Sequence, residues 1–401
     1  MDIPAIQAAL NEFGVDAWLL CDFRGSNPLA QTVVGIPASA HQTRRWMYLI
    51  PRVGQPKKLV HRIESGSLDH VPGDKRMYLK WQEFEAGVAW LLAETLIQTP
   101  KPKIAMEYSP RNAIPYISRV DAGTIELVRA VGGEPVSSGD LIQQFEATWN
   151  DEQWALHQTA EHVTTTAFDL VWSFLRQQML DSKTPTECDV QDLIMAHFKR
   201  HNCVTDHPPI IGVNGHAGDP HYAPDRNHDT PIRPGDLLLV DLWCKVDHSL
   251  GVYSDLTRMA YLGHEIPKQH AGLFTIVAMA RNAGIALARE RFSQNQPLAG
   301  WEVDAATRKV IENAGYGDAF VHRTGHNIGA STHGNGAHMD NLETRDERRV
   351  LRRTCFSIEP GIYLPEQNCG YRSEINVFVD EHGTVHVTGG PLQREIVAVL
   401  G

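Results

Sequence analysis

Residues 240–258 read VDLWCKVDHSLGVYSDLTR, and two aspartates, Asp241 and Asp255, interrupt otherwise apolar, strand-like sequence. A carboxylate carried into an apolar sheet is costly to desolvate unless its charge is compensated. DLLLVDLWCKV and GVYSDLTRMAYL read as the arms of a hairpin that turns at DHSL. Asp241 and Asp255 are symmetric about residue 248, which predicts that they face each other across the ladder. Facing carboxylates repel unless something neutralises them. One such pair alone is as well explained by a protonated member or by strand-end exposure as by a bound cation.

The arrangement recurs. CFSIEPGIYLPEQNCGYRSEINVFV places Glu359 and Glu374 in apolar strands around a turn-rich loop, with their midpoint between residues 366 and 367. Four carboxylates on one sheet call for a compensating cation, and hard oxygen donors suit divalent metals. Between the two pairs lies HRTGHNIGASTHGNG, carrying His322, His326 and His333 among glycines that allow tight turns. A histidine there would complete a mixed nitrogen–oxygen site suited to manganese, cobalt, iron or zinc.

The elements that must hold these residues follow from periodicity. Residues 1–145 read as a mixed α/β unit: a helix in IPAIQAALNEFG, a strand in DAWLLC, two strands in WMYLIPRVGQPKKLVHRI, and further strands in KIAMEY and TIELVRAV. GGEPVSSGD reads as a turn-rich break, and Asp22 and Glu107 as surface or cap residues. A long helix is expected from about Asn150, and a second with Thr184 as N-cap, Pro185 at its first position and Glu187 closing a capping box. Strands follow at about 208–213, 236–246 and 252–262. The order then repeats, with helices near 268–292 and 301–314 and strands near 355–364, 371–379 and 384–388. Helix, helix, strands, twice over, predicts two related halves around one sheet, and a boundary at 148/149 divides the chain into two domains.

Composition narrows the function. The 401 residues are 42% hydrophobic and 21% charged, ordinary for a chain that buries a large core. A net charge of −11 without a long basic run argues against nucleic-acid binding. MDIPAIQAALNEFG lacks the features of a signal peptide, and no apolar run approaches the roughly 20 residues of a membrane helix, so a cytoplasmic protein away from membranes is expected. Six scattered cysteines without a C-x-x-C pair read as reduced thiols.

The ordered set Asp241, Asp255 in SDLTR, His326 in TGHNIG, Glu359 in SIEPGIY and Glu374 in GYRSE resembles the pita-bread metallopeptidases, which include methionine aminopeptidase, aminopeptidase P and prolidase. The resemblance covers the second domain nearly end to end; the first looks like the creatinase/prolidase N-terminal domain by position and size. It implies an α/β chain with a pita-bread catalytic domain and two divalent metal ions, manganese first, with cobalt, zinc or iron as alternatives. Asp241 would chelate one ion, His326 and Glu359 the other, and Asp255 and Glu374 would bridge them. A bridging hydroxide would attack a polarised carbonyl, with Glu359 relaying the proton. His221 in DPHYAP and His333 match histidines near the substrate and the tetrahedral intermediate; His322 and Arg372 match pocket residues of the proline-directed members. His207, His216, His228, His248 and His338 match nothing and read as loop residues. The resemblance also implies a short peptide substrate and a homodimer.

Three departures stand out. Asp241 and Asp255 are further apart than is usual in the family, Gly334 follows His333 where an acid is common, and GNGAHMDNLETRDERRVL reads as a charged, solvated loop. Hydrolysis of Xaa-Pro dipeptides or longer Xaa-Pro peptides is therefore weighed against a metal enzyme acting on a non-peptide substrate, lyase- or amidinohydrolase-like, and against a non-catalytic scaffold.

Overall fold

The computed structural model describes residues 1–37 and 39–401. They form two compact units, Met1–Glu146 and Ala147–Gly401. The first runs α1 (Ile3–Glu12), β1 (Ala17–Asp22), α2 (Pro28–Val34), β2 (Trp46–Pro51), β3 (Lys57–His61), β4 (Asp74–Tyr78), α3 (Trp81–Gln98), β5 (Lys103–Met106), α4 (Ala122–Ala130), β6 (Glu134–Ser137) and α5 (Gly139–Glu146). Its sheet has the order β4-β3-β2-β1-β5-β6. Strand β1 is buried on both faces: Trp18 and Leu20 enter one core with Ile6 and Leu10, and Leu19 and Cys21 enter the other with Val88 and Leu91. A strand covered on both sides needs a continuous apolar run, which AWLLC supplies.

Three expectations fail in this unit. TIELVRAV is helical, because Asp121 caps it by accepting from the Thr124 N–H at 3.0 Å, and Ile125 and Val128 recur at helical spacing toward the core. GGEPVSSGD contains β6, paired in parallel with β5. Glu107 and Asp22 are buried rather than on the surface. Glu107 accepts from Trp18 Nε1 at 2.8 Å, Asn27 Nδ2 at 2.8 Å and Ser138 Oγ at 3.0 Å, while Asp22 accepts the Gly25 and Asn27 N–H groups. Those bonds supply what burial would otherwise make costly.

The second unit runs α6 (Asp151–Leu180), α7 (Glu187–Arg200), β7 (Cys203–Val204), β8 (Ile210–Val213), β9 (Leu237–Val246) and β10 (Ser254–Tyr261). It continues with α8 (Lys268–Ser293), α9 (Gly300–Asn313), β11 (Asn327–Ile328), β12 (Cys355–Ile358), β13 (Gly361–Leu364), β14 (Cys369–Arg372), β15 (Ile375–Val379), β16 (Val385–Thr388) and β17 (Val397–Ala398). The helix–helix–strands order does occur twice, but not around the single sheet expected: the halves carry separate sheets, β17-β10-β9-β7, with β8 also on β9, and β11-β12-β15-β16, with the β13–β14 hairpin a third. The cap of α7 is Thr186, not Thr184, and Asp189 closes the box; Glu187 instead turns into the interior. Residues 334–351, expected to be solvated, are so only in part: residues 341–343, Arg345 and Glu347 are exposed, but Asp340, Asp346 and Arg348 are buried, and Arg348 Nη2 lies 2.6 Å from Asp346 Oδ2. By length and composition α8 could cross a membrane, contrary to expectation, but half of that stretch is buried in this unit. Arg281 within it is buried and donates to Ser373 Oγ at 2.6 Å and the Gln393 carbonyl at 2.9 Å.

His157 on α6 ties distant segments together. Its Nδ1 lies 2.8 Å from the Tyr253 carbonyl and its Nε2 2.8 Å from Thr388 Oγ1. Burial holds its pKa at about 4 against an ordinary 6.5, although the Tyr253 carbonyl and Glu161 pull the other way. The folded form is thus the harder one to protonate. Stability from this group is complete above pH 6.5 and is lost as pH falls from about 6.5 toward 4, a change on the order of 3 kcal/mol. Unfolding of the wild type and His157→Gln in denaturant should show the wild-type advantage shrinking by about that amount between neutral pH and pH 4. A pH-independent difference would refute the assignment.

Candidate metal centre

In the β9–β10 ladder Asp241 stands opposite Thr257, and Asp255 opposite Trp243. The two aspartates therefore do not face each other, as symmetry about residue 248 predicts; they are diagonal neighbours on one face. The register is set at the turn, which is centred on residue 249 and not on 248, since Cys244 pairs with Ser254; next to it the Tyr253 N–H leaves the ladder for the Gly329 carbonyl at 3.0 Å. Diagonal neighbours remain within reach of one another, at about 7–8 Å.

Glu359 and Glu374 do stand opposite each other. Ile358 pairs with Ile375 and Gly361 with Arg372, so the two ladders share one register and the glutamates fall in the gap between them. The strands expected to be continuous break here because Pro360 has no N–H to give and the neighbouring donors are used elsewhere. The Glu359 N–H goes to the Thr324 carbonyl at 2.7 Å and the Glu374 N–H to the Thr257 carbonyl at 3.2 Å. These two bonds draw the His326 segment and β10 onto the same gap. Gly325 makes the approach possible, since a Cβ there would lie 2.0 Å from the Ser357 carbonyl oxygen.

Five side chains converge. His326 Nε2 lies 3.5 Å from Asp255 Oδ2 and 3.3 Å from Glu359 Oε1. Donor atoms of Asp255, His326 and Glu374 all lie within 4.8 Å of one another. The His326 Nδ1 is 3.2 Å from the Asn327 carbonyl, which can only accept, so Nε2 is left with a lone pair toward the carboxylates. Ser357 Oγ donates to Glu359 Oε1 at 3.0 Å, and Thr257 Oγ1 to Glu374 Oε2 at 2.8 Å. Arg372 Nη2 donates to Asp241 Oδ2 at 2.6 Å. Burial, and then the Asp241 charge, pushes the Asp255 carboxyl well above its ordinary range; burial and the Asp255 charge do the same to Glu374. Asp241 Oδ1 and Glu374 Oε1 are buried with no hydrogen-bond partner among the described residues. Orphaned acceptor oxygens among mutually repelling carboxylates, beside an imidazole lone pair, fit divalent cations.

The other expected residues lie around this centre. The His333 ring packs on His326 at 4.2 Å between centroids, with Arg323 Nη2 3.5 Å from its Nδ1. His322 Nε2 is 2.7 Å from the Tyr363 hydroxyl, and burial followed by Arg372 depresses its pKa to about 3. Arg372 also donates to Thr257 Oγ1 at 3.1 Å and to Tyr363 Oη at 3.0 Å. His221 is exposed, its N–H bonded to Asp219 Oδ1 at 3.0 Å.

Sequence reasoning missed Tyr363, which joins His322 to Arg372. Its signal was the period of two that sets residues 359, 361 and 363 on one side of an extended segment. It also missed Glu187, whose buried carboxylate accepts from the Val213 N–H at 2.8 Å, His216 Nδ1 at 2.9 Å and Tyr222 Oη at 2.6 Å, holding the segment that leads to His221. His216 is therefore no idle loop residue. Nor is His338, which is buried and accepts the Asn327 N–H at 3.1 Å. His207, His228 and His248 are exposed, as expected.

The second unit thus has the pita-bread architecture, with a cluster of buried carboxylates and a histidine at its centre. Residues 155–381 match the model described as Metallopeptidase family M24, and the chain belongs to that family. It is a peptide hydrolase, and the family implies divalent metal ions. The chain is 28% identical over 277 residues to the probable dipeptidase PepE of Mycobacterium tuberculosis, covering 69% of this chain and 67% of that one. It is 31% identical over 169 residues to the Xaa-Pro dipeptidase of Pyrococcus furiosus, 42% of this chain and 44% of that one. The crystal structure of dipeptidase PepE from Mycobacterium ulcerans superposes with a TM-score of 0.65 at 22% identity, covering 99% of this chain and 96% of that one.

Proposed function

We propose that this chain hydrolyses short proline-containing peptides at the Xaa-Pro bond, using two divalent ions, manganese first. The observation that carries the reading is the convergence of four carboxylates and His326 with two orphaned oxygens, Asp241 Oδ1 and Glu374 Oε1, at separate positions in the cluster. Asp241 would hold one ion, His326 and Glu359 the other, and Asp255 and Glu374 both. Ions bound there would supply a nucleophilic hydroxide at neutral pH and polarise the scissile carbonyl. Glu359, steadied by Ser357, takes up and returns the proton. His333 and His221 face the carbonyl oxygen and stabilise the charge that develops on it. His322, Tyr363 and Arg372 form the wall beside the proline ring.

Stripping the protein with a chelator and restoring manganese, cobalt or zinc tests the reading. Hydrolysis of Xaa-Pro and Xaa-Pro-Yaa peptides should vanish and return with metal. Metal-loaded protein that turns over neither substrate while cleaving other dipeptides would refute the proline preference. Turnover untouched by the chelator would refute the metal centre.

A further inference from the structure

The segment that carries His333, GASTHGNG, contains no acid. A short peptide nevertheless brings a free ammonium group to within one residue of its scissile carbonyl, where an anion at the rim of the centre could pair with it. Asp206, in the loop between β7 and β8, is placed to be one. Its Oδ1 accepts from Trp243 Nε1 at 2.7 Å, and Trp243 is the residue opposite Asp255 in the ladder. Its two oxygens also lie 3.4 and 3.3 Å from Thr332 Oγ1, and Thr332 precedes His333. Asp206 is thus bracketed by one residue that faces Asp255 and by another next to His333, and its charge is felt at Asp255. Its side chain is 45% exposed, with His207 Nδ1 3.7 Å away, so the carboxylate meets solvent at the rim.

The frame around it is fixed. Lys245 Nζ donates to the Ala330 carbonyl at 2.6 Å and lies 5.0 Å from the Tyr253 ring centroid, while the Tyr253 N–H holds Gly329. The end of β9 and the turn that follows it therefore hold the segment before His333 beside Asp206. From this geometry we infer that Asp206 binds the free α-ammonium group of the peptide substrate and selects against peptides that lack one. The inference rests on the peptidase reading above and deepens it: Trp243 and Thr332 orient the carboxylate, and the side chain of the first residue passes over Trp243.

Asp206→Asn tests it, because the amide keeps an acceptor for Trp243 and loses the charge. Alanyl-proline is the substrate. Its alkene isostere, which keeps both charged ends and has no amide to cleave, and the des-amino form of that isostere are the binding probes. In the metal-loaded variant the KM for alanyl-proline and the Kd of the isostere should rise about tenfold, with kcat changed far less. The Kd of the des-amino probe should stay as in wild type, and Asp206→Glu should recover part of the loss. Equal weakening of both probes, or no weakening, overturns the assignment. A wild type that cleaves no dipeptide but still prefers the amine-bearing probe, with the preference lost in Asp206→Asn, overturns the peptidase reading and keeps the ammonium site.

Discussion

Replacing Asp255 with alanine is expected to empty the metal centre and abolish turnover while leaving the chain folded. Asp255 is buried, lies 3.5 Å from His326 and belongs, with His326 and Glu374, to a group whose donor atoms all lie within 4.8 Å of one another. In the proposed two-ion centre Asp255 would be shared by both ions, so its loss would weaken both. The fall in activity should exceed the roughly 10–100-fold typical of an outer-sphere partner. The fold should survive because β10 is held through its backbone: the Asp255 N–H donates to Asn376 Oδ1 at 3.0 Å, and Asn376 Nδ2 returns a bond to the Asp255 carbonyl at 2.6 Å. Without metal the wild type keeps four repelling carboxylates, so the melting temperature of the metal-free variant should equal or exceed that of the metal-free wild type. Elemental analysis and thermal melts read both effects. A variant that retains its full metal content removes Asp255 from the centre.

Arg372→Met should be the most damaging change to the surroundings of the site. The guanidinium is buried and contacts Asp241, Thr257 and Tyr363 at once. Methionine fills a similar volume but leaves Asp241 Oδ2 and the Tyr363 hydroxyl each without that partner. Removing one member of a buried pair costs about 3–5 kcal/mol, and the lost orientation of Asp241 should weaken metal binding about 10–100-fold. Because bound metal would itself neutralise Asp241, the loss of stability should be larger in the metal-free protein than in the loaded one. Denaturant unfolding in both states measures this; equal losses would mean that Arg372 acts on the substrate side alone.

The sequence exposed the centre more fully than its surroundings, for a physical reason. Carboxylates in apolar strands violate the pattern of their neighbours, so Asp241, Asp255, Glu359 and Glu374 are visible without any structure. The midpoint rule placed Glu359 opposite Glu374 because a compact turn joins the β13–β14 arms directly. It failed for Asp241 and Asp255 because the β9–β10 turn is centred on residue 249, one position past the midpoint of the two aspartates, and nothing in the composition of DHSL fixes that centre to a single residue. Glu107 and Glu187 were misjudged for another reason. A buried acid is distinguished from a surface one by its donors, and Trp18, Asn27 and Tyr222 come from other elements. TIELVRAV shows the converse error, in which β-branched residues outweighed the Asp121 cap that decides the matter.

The pairing of β17 with β10, Val397 beside Ala260, has a consequence for how the protein is made. The strand that carries Asp255 is not flanked on both edges until residues 397–398 have been synthesised, and His157 has no Thr388 to bond until residue 388 has been made. During vectorial synthesis the sheet of the first unit, whose last strand ends at Ser137, can close early. The second unit must wait through most of its own length with strand edges open. A centre that needs Glu374 as well as Asp241 can take up a cation only after residue 374 has been made, well after the sheet of the first unit can close.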